Sequence, residues 1–304
     1  MLYLDPKSVK SKVARKKHLD RLIDLIYKRI DNIDCLFVKS FFDFYVNDHL
    51  DVLLSGEITE IYKLSEQLNH HLCLKPNLLK FVNYVFKYDW FIDKVQSRYC
   101  GYDLAKNLDV STCTYCNRNF TNTVVSRKGL KLTRPQFDHY FDKSTHPFLA
   151  LSFYNLIPCC SICNTSIKHG QEFNLNSHAH PYLDKIAEEF SFSYEYSLDP
   201  YHRNGLKIKT NVYKDRFVKK YLEDLKIEDV YNPHTDILFD LIKIKQSYSD
   251  KYLSILEKEV LKGLKVSKSE LYRLAFGVSI EESDFGKRPF SKFKKDILKE
   301  LNII

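Results

Sequence analysis

Two short stretches decide how this chain is read: Cys113-Thr114-Tyr115-Cys116 and Cys160-Ser161-Ile162-Cys163. In each, two cysteines stand two residues apart, a spacing that lets one tight knuckle bring both thiolates to a single ion. Two such knuckles complete a tetrahedral four-sulfur site. Cys113, Cys116, Cys160 and Cys163 are therefore expected to hold a structural Zn²⁺. Cys159 offers an alternative, a Cys-x-x-x-Cys spacing with Cys163, but Cys160 repeats the spacing of the first pair. The 43 residues between the pairs exceed what a compact zinc ribbon encloses, so a further element must sit inside the loop.

The composition agrees with a metal role for these cysteines. Five of the eight cysteines in the 304-residue chain fall within residues 113–163, and no secretory signal is apparent, which disfavours a disulfide framework. Cys35, Cys73 and Cys100 are expected to be small buried thiols in helical surroundings. Apolar residues make up 44% and charged residues 28%, with 21 Tyr and 21 Phe against only 8 Gly, a globular composition and not a low-complexity one. No apolar run approaches the ~18 residues of a membrane span, so no membrane partner and a cytoplasmic location are expected. The net charge is +8; residues 1–20 and 286–304 carry +4 each and residues 106–170 carry +5. A basic central segment suits a polyanionic partner.

Three regions are expected. Residues 1–105 read as helical: Leu19, Leu22, Ile23, Ile26, Ile30 and Ile33 follow one buried helical face. Apolar segments near 35–55, 57–72 and 77–98 extend the pattern, punctuated by Pro76. Residues 106–182 change character. Phe120–Val125 and Leu130–Phe137 read as strands joined by Ser126-Arg127-Lys128-Gly129, and His146–Ile157 reads as a helix. In residues 183–304, Phe190, Phe192, Tyr194 and Tyr196 alternate ahead of Asn204-Gly205, Leu206 and Ile208, a hairpin signal. Helix then returns, with Asn232-Pro233 ahead of Ile237, Leu238, Leu241, Ile242, Tyr248, Tyr252 and Ile255. The fold class expected is α+β and mainly α-helical, with the small central module embedded between helical ends.

The loop between the knuckles carries Asp138-His139, then Asn155, and Asn164 follows Cys163 directly. Phosphodiester hydrolysis needs a hard cation on oxygen ligands, a base that activates water, and a group that fixes the base. A carboxylate (Asp138), an amide oxygen (Asn164) and an imidazole (His139) meet those needs. The order Cys-x-x-Cys, Asp-His, Asn, Cys-x-x-Cys-Asn resembles the zinc-stabilised branch of the HNH endonucleases, whose ββα-metal fold holds one catalytic divalent cation. The resemblance implies Asp138 and Asn164 as ligands of Mg²⁺ or Mn²⁺, His139 as general base, and Asn155 as the brace of the loop that carries it. Arg118, Lys143 and Lys168, with Arg127, Lys128 and Arg134, would contact substrate phosphates.

The segments Cys113–Phe120, Phe148–Asn164, His180-Pro181-Tyr182 and the run from Ser291 to Leu298 are similar to HNH nuclease subunits encoded beside an ATPase, in Septu-type and retron-associated antiphage systems. This implies an ATPase partner and a nucleic-acid substrate, DNA ahead of RNA or tRNA. A non-catalytic zinc module that binds nucleic acid or acts as a scaffold is the rival reading.

Overall fold

In the computed structural model, which describes residues 2–93, 98–213, 216–247 and 252–304, the apolar periodicity of the first 105 residues becomes a stack of helices. Helix α1 (Val9–Asp31) starts at Ser8, whose Oγ accepts from the Ser11 backbone N–H, and buries Leu22, Ile26 and Ile30. It runs against α3 (Leu50–Ser55) and α7 (Gly101–Leu108), with α2 (Leu36–Tyr45), α4 (Ile58–Leu74), α5 (Leu79–Val85) and α6 (Tyr88–Ile92) around it. Residues 94–97 of the expected 77–98 segment, and Tyr248, lie outside the described residues. The Tyr252 side chain is likewise not described. Cys100 is buried, whereas Cys35 and Cys73 are exposed, contrary to expectation, because they fall outside the inward faces of α2 and α4.

The central stretch folds as small antiparallel pairs. Strand β1 (Val124–Val125) pairs with β2 (Lys131–Thr133) across the expected turn. Gln136–His139 does not extend that hairpin. It forms a separate strand, β3, paired with β4 (Leu156–Cys159), with Asp138 opposite Ile157 and His139 opposite Leu156. His146–Ile157 is accordingly not a helix. It makes two single turns, Pro147–Leu149 and Phe153–Asn155, and then enters β4. A continuous apolar run buried on every side has no periodicity to separate strand from helix, and the backbone here bonds across to β3. After β4 comes a short π-helical segment, Ile162–Ile167.

Helix α8 (Ile186–Glu189) leads into the hairpin of β5 (Phe190–Tyr196) and β6 (Leu206–Val212). Its connection, residues 197–205, ends at Asn204 and Gly205, both with positive φ. Helices α9 (Arg216–Asp224), α10 (Ile227–Tyr231), α11 (Thr235–Ser247), α12 (Tyr252–Ile255), α13 (Lys268–Phe276) and α14 (Ser291–Glu300) follow. Asn232 Oδ1 accepts from the Ile208 N–H at 2.8 Å and ties the helical end to β6. Helix α14 docks on β5 through a buried ion pair: Lys292 Nζ lies 2.6 Å from Asp296 Oδ2, which also accepts from the Phe192 N–H. One apolar core runs from α1 through the central pairs to α14. Among the described residues no helix is long and apolar enough to cross a membrane.

Candidate active site

The four cysteines of the two knuckles are buried, unpaired by disulfides, and bring their sulfurs within 4.8 Å of one another. A tetrahedron with 2.3 Å metal–sulfur arms needs sulfurs about 3.8 Å apart, so the cluster can hold a metal ion such as zinc. Cys160 is held below the usual thiol range, first by hydrogen bonds from Cys113, Cys116 and Cys163 and then by the Asn119 amide, 3.3 Å away. Cys159 is not a member. It ends β4 facing the other way, and burial with the nearby Asp138 charge pushes its thiol well up. The knuckles also anchor the rest of the chain. Leu2 N–H donates to the Thr114 carbonyl, Tyr231 Oη–H to the Cys116 carbonyl, and Phe290 N–H to the Asn117 carbonyl.

The knuckle residue Tyr115 reaches from the sulfur cluster to the centre of the candidate site. Its hydroxyl donates to Asp138 Oδ2 at 2.5 Å. Lys168 Nζ stands on the same carboxylate, 3.0 Å from Oδ2 and 3.3 Å from Oδ1, and also donates to the His139 carbonyl at 2.9 Å. Asp138 and Lys168 are both buried. Burial raises the Asp138 pKa, and the Lys168 ammonium and the Tyr115 hydroxyl oppose that rise. Lys168 is therefore not the phosphate contact expected from sequence, because its charge is spent inside the protein.

His139 follows on β3 and so projects to the opposite face from Asp138. Its Nε2 lies 2.9 Å from the Ala150 carbonyl, and its ring meets Tyr88 edge-on with centroids 4.4 Å apart. A carbonyl can only accept, so Nε2 carries the hydrogen and the neutral ring keeps its lone pair on Nδ1. Burial lowers the His139 pKa to about 4. The ring is consequently neutral at pH 7, with its lone pair on Nδ1. Asn155 holds the loop that supplies Ala150: its Oδ1 accepts from Phe141 N–H at 2.7 Å, and its Nδ2 donates to the Phe141 and Leu149 carbonyls at 3.1 and 3.0 Å.

Asn164 sits beside Gln136, not beside Asp138: its Nδ2 donates to Gln136 Oε1 at 2.8 Å. Gln136 and Asp138 share one face of β3, and Asn164 and Lys168 are four residues apart on the facing helical segment and its end. The result is two rungs, Asn164–Gln136 and Lys168–Asp138, separated by about 7 Å along the strand. The oxygens of Asp138 and Asn164 thus do not converge. As arranged, these residues do not form a Mg²⁺ or Mn²⁺ site, since an ammonium already holds the position next to the carboxylate.

Among the expected phosphate contacts, Arg118 is also committed internally, donating to the Val230 carbonyl at 2.9 Å. Lys143 is half-exposed, its Nζ 4.0 Å from Asp89 Oδ1 and 5.5 Å from the centre of the Tyr88 ring that meets His139. His178 and His180 are buried; His178 bonds Asp224 at 2.7 Å, while His169 is exposed. Tyr115, Tyr88 and Gln136 escaped the sequence reading. Tyr115 had one signal, its place inside a Cys-x-x-Cys knuckle. No protein-family model, no curated protein and no solved structure matches this chain.

Proposed function

We propose that this chain hydrolyses phosphodiester bonds of nucleic acid, DNA ahead of RNA, as an HNH-type endonuclease with His139 as the base. The observation that carries the reading is the Nε2–Ala150 bond, which leaves a lone pair on Nδ1 of a ring neutral at pH 7. Support comes from β3 and β4, which lie between the two knuckles, followed by the helical segment Ile162–Ile167 that starts in the second knuckle, and from Asn155 bracing the loop that fixes His139. A water on Nδ1 loses a proton to the imidazole, its oxygen attacks phosphorus, and the P–O3′ bond breaks. The departing O3′ takes a proton from solvent and the imidazolium returns its own to solvent, leaving a 5′-phosphate and a 3′-hydroxyl. Lys143, half-exposed and only loosely paired with Asp89 at 4.0 Å, would meet the phosphate. Because the donors do not converge on a divalent ion, no step is assigned to one. By the same resemblance an ATPase is the proposed partner.

One observation favours the rival class, a zinc module that binds nucleic acid without cutting it: Lys168 neutralises the carboxylate at the centre of the site. Plasmid, single-stranded DNA and total RNA, incubated with metal-loaded wild type and His139→Ala, with and without Mg²⁺ or Mn²⁺, decide between them. Loss of a positioned base should slow cleavage on the order of 100-fold or more while metal content and Tm persist. Undiminished cutting by His139→Ala would refute the base assignment. Failure of wild type to cut any of the three, with the partner ATPase present, would leave the binding module.

A further inference from the structure

The β1–β2 hairpin takes no part in the site just described, yet its chemistry is distinctive. From Val110 to Phe137 the chain carries Arg118, Arg127, Lys128, Lys131 and Arg134 and no acidic residue. Val124, Val125, Leu130 and Leu132 on the hairpin are all between 41% and 55% exposed, so both faces of the ribbon are open. Arg127 and Lys128 occupy the tip. The Ser126 carbonyl accepts from the Gly129 N–H at 2.9 Å, and Gly129 has φ +80°, which closes the turn and points the two cations outward. Neither cation has a carboxylate partner among the described residues.

The root of the ribbon is rigid. Only Arg134-Pro135 separates β2 from β3, and the Arg134 guanidinium lies 5.6 Å from the ring centres of both Tyr102 and Phe137. A Cβ on Gly101 would come within 3.1 Å of Arg134 Nε, so the bare first residue of α7 lets this clamp close. The arm is therefore held on the strand that carries Asp138 and His139.

We infer that the β1–β2 ribbon is a docking arm for double-helical DNA, with Arg127 and Lys128 on backbone phosphates and the aliphatic face of Leu130 and Leu132 in the groove. It rests on the nucleic-acid reading above and specifies the substrate as duplex. The major groove, about 12 Å wide, admits a two-stranded ribbon. The register irregularity between Val124 and Val125 adds the twist a groove requires. An isolated two-stranded hairpin with two open edges is marginal in water and gains order from a partner. A single strand would instead call for stacking rings, and Phe120 is the one aromatic residue between Arg118 and Gln136. Nine residue steps lead from Leu130 to His139, about 30 Å at full extension, less than the ~34 Å turn of a duplex. DNA seated on the arm would thus pass His139 within one turn.

The test is fluorescence anisotropy of a labelled duplex against salt, without added divalent metal, on wild type, Arg127→Ala/Lys128→Ala and Leu130→Ser/Leu132→Ser. The first variant should bind on the order of tenfold more weakly and flatten the slope of log K against log salt by about 2, one per lost phosphate contact. The second should bind more weakly with its slope unchanged. All these side chains are exposed, so unchanged metal content and circular dichroism verify the fold. Wild-type affinity and slope in both variants, or tighter binding of single-stranded DNA or RNA than of duplex, would overturn the assignment. Because nothing is cut in this assay, docking and catalysis are tested separately: a protein that binds through the arm and never cleaves sinks only the nuclease reading.

Discussion

Lys168 Nζ stands 3.0 Å from Asp138 Oδ2, with both side chains buried and the Tyr115 hydroxyl on the same oxygen. The pair places a fixed positive charge where the sequence pattern suggested a divalent cation. Strand β3 and the segment after the second knuckle are thereby joined by an ion pair in a medium where neither partner can be left alone.

Removing one partner should therefore cost far more than removing both. Lys168→Met is expected to destabilise the protein by about 3–5 kcal/mol, because the carboxylate stays buried without its cation. Adding Asp138→Asn to that variant should restore a large part of the loss. A urea-denaturation double-mutant cycle measures the coupling; two simply additive single effects would show that the pair is not a unit.

Cys116 and Cys159 separate the metal ligands from their neighbour. Cys116→Ser should abolish stoichiometric zinc and the cooperative unfolding transition, since the knuckles anchor Leu2, Tyr231 and Phe290 and metal binding is coupled to folding. Cys159→Ser should keep one zinc per chain, its thiol lying outside the cluster. Elemental analysis with a melting curve reads both, and zinc loss in the second variant would contradict the ligand set.

Asn155 satisfies three buried backbone groups of the loop following β3. Asn155→Ala leaves all three without a partner and should cost about 3 kcal/mol at roughly 1 kcal/mol each. Faster amide exchange confined to the 140–150 loop would accompany it, measured by hydrogen exchange with mass spectrometry. Asn155→Asp should be no better, because a carboxylate cannot donate to the Phe141 and Leu149 carbonyls. Near-wild-type stability in the alanine variant would remove the bracing role.

Acid should weaken the fold through two buried imidazoles away from the site. His18 and His180 are fully buried, and desolvation lowers their pKa values to about 4 and about 3. Below the unfolded value of about 6.5 the unfolded chain binds protons that the native one refuses. Stability is then present above pH ~6.5 and lost as pH falls toward 4. These two rings contribute up to about 2.7 kcal/mol per pH unit, about 1.36 each, and His139, lowered likewise to about 4, adds a third increment of the same size. Urea midpoints between pH 7 and 5, with zinc content followed so that metal loss is separated, measure it; a flat profile would mean these rings are already protonated in the native state.

The sequence determined those features that depend on local spacing. Two Cys-x-x-Cys pairs specify a four-sulfur cluster whatever lies between them, because each knuckle is a local turn. Periods of 3.6 and 2 mark α1 and the β5–β6 hairpin because each buries a single face.

Only the tertiary structure decided the rest. The run from His146 to Ile157 is apolar on all sides and so has no period to betray its strand, whose pairing with β3 comes from residues nearly twenty positions earlier. Lys168 reads as a surface cation in any window of sequence, and its burial follows from a helical segment laid across β3. Tyr115 gained a role because the Thr114 N–H bond to the Pro158 carbonyl ties the first knuckle to β4, beside the strand that carries Asp138. Long-range apposition sets which charge meets which carboxylate. A one-dimensional pattern does not contain it.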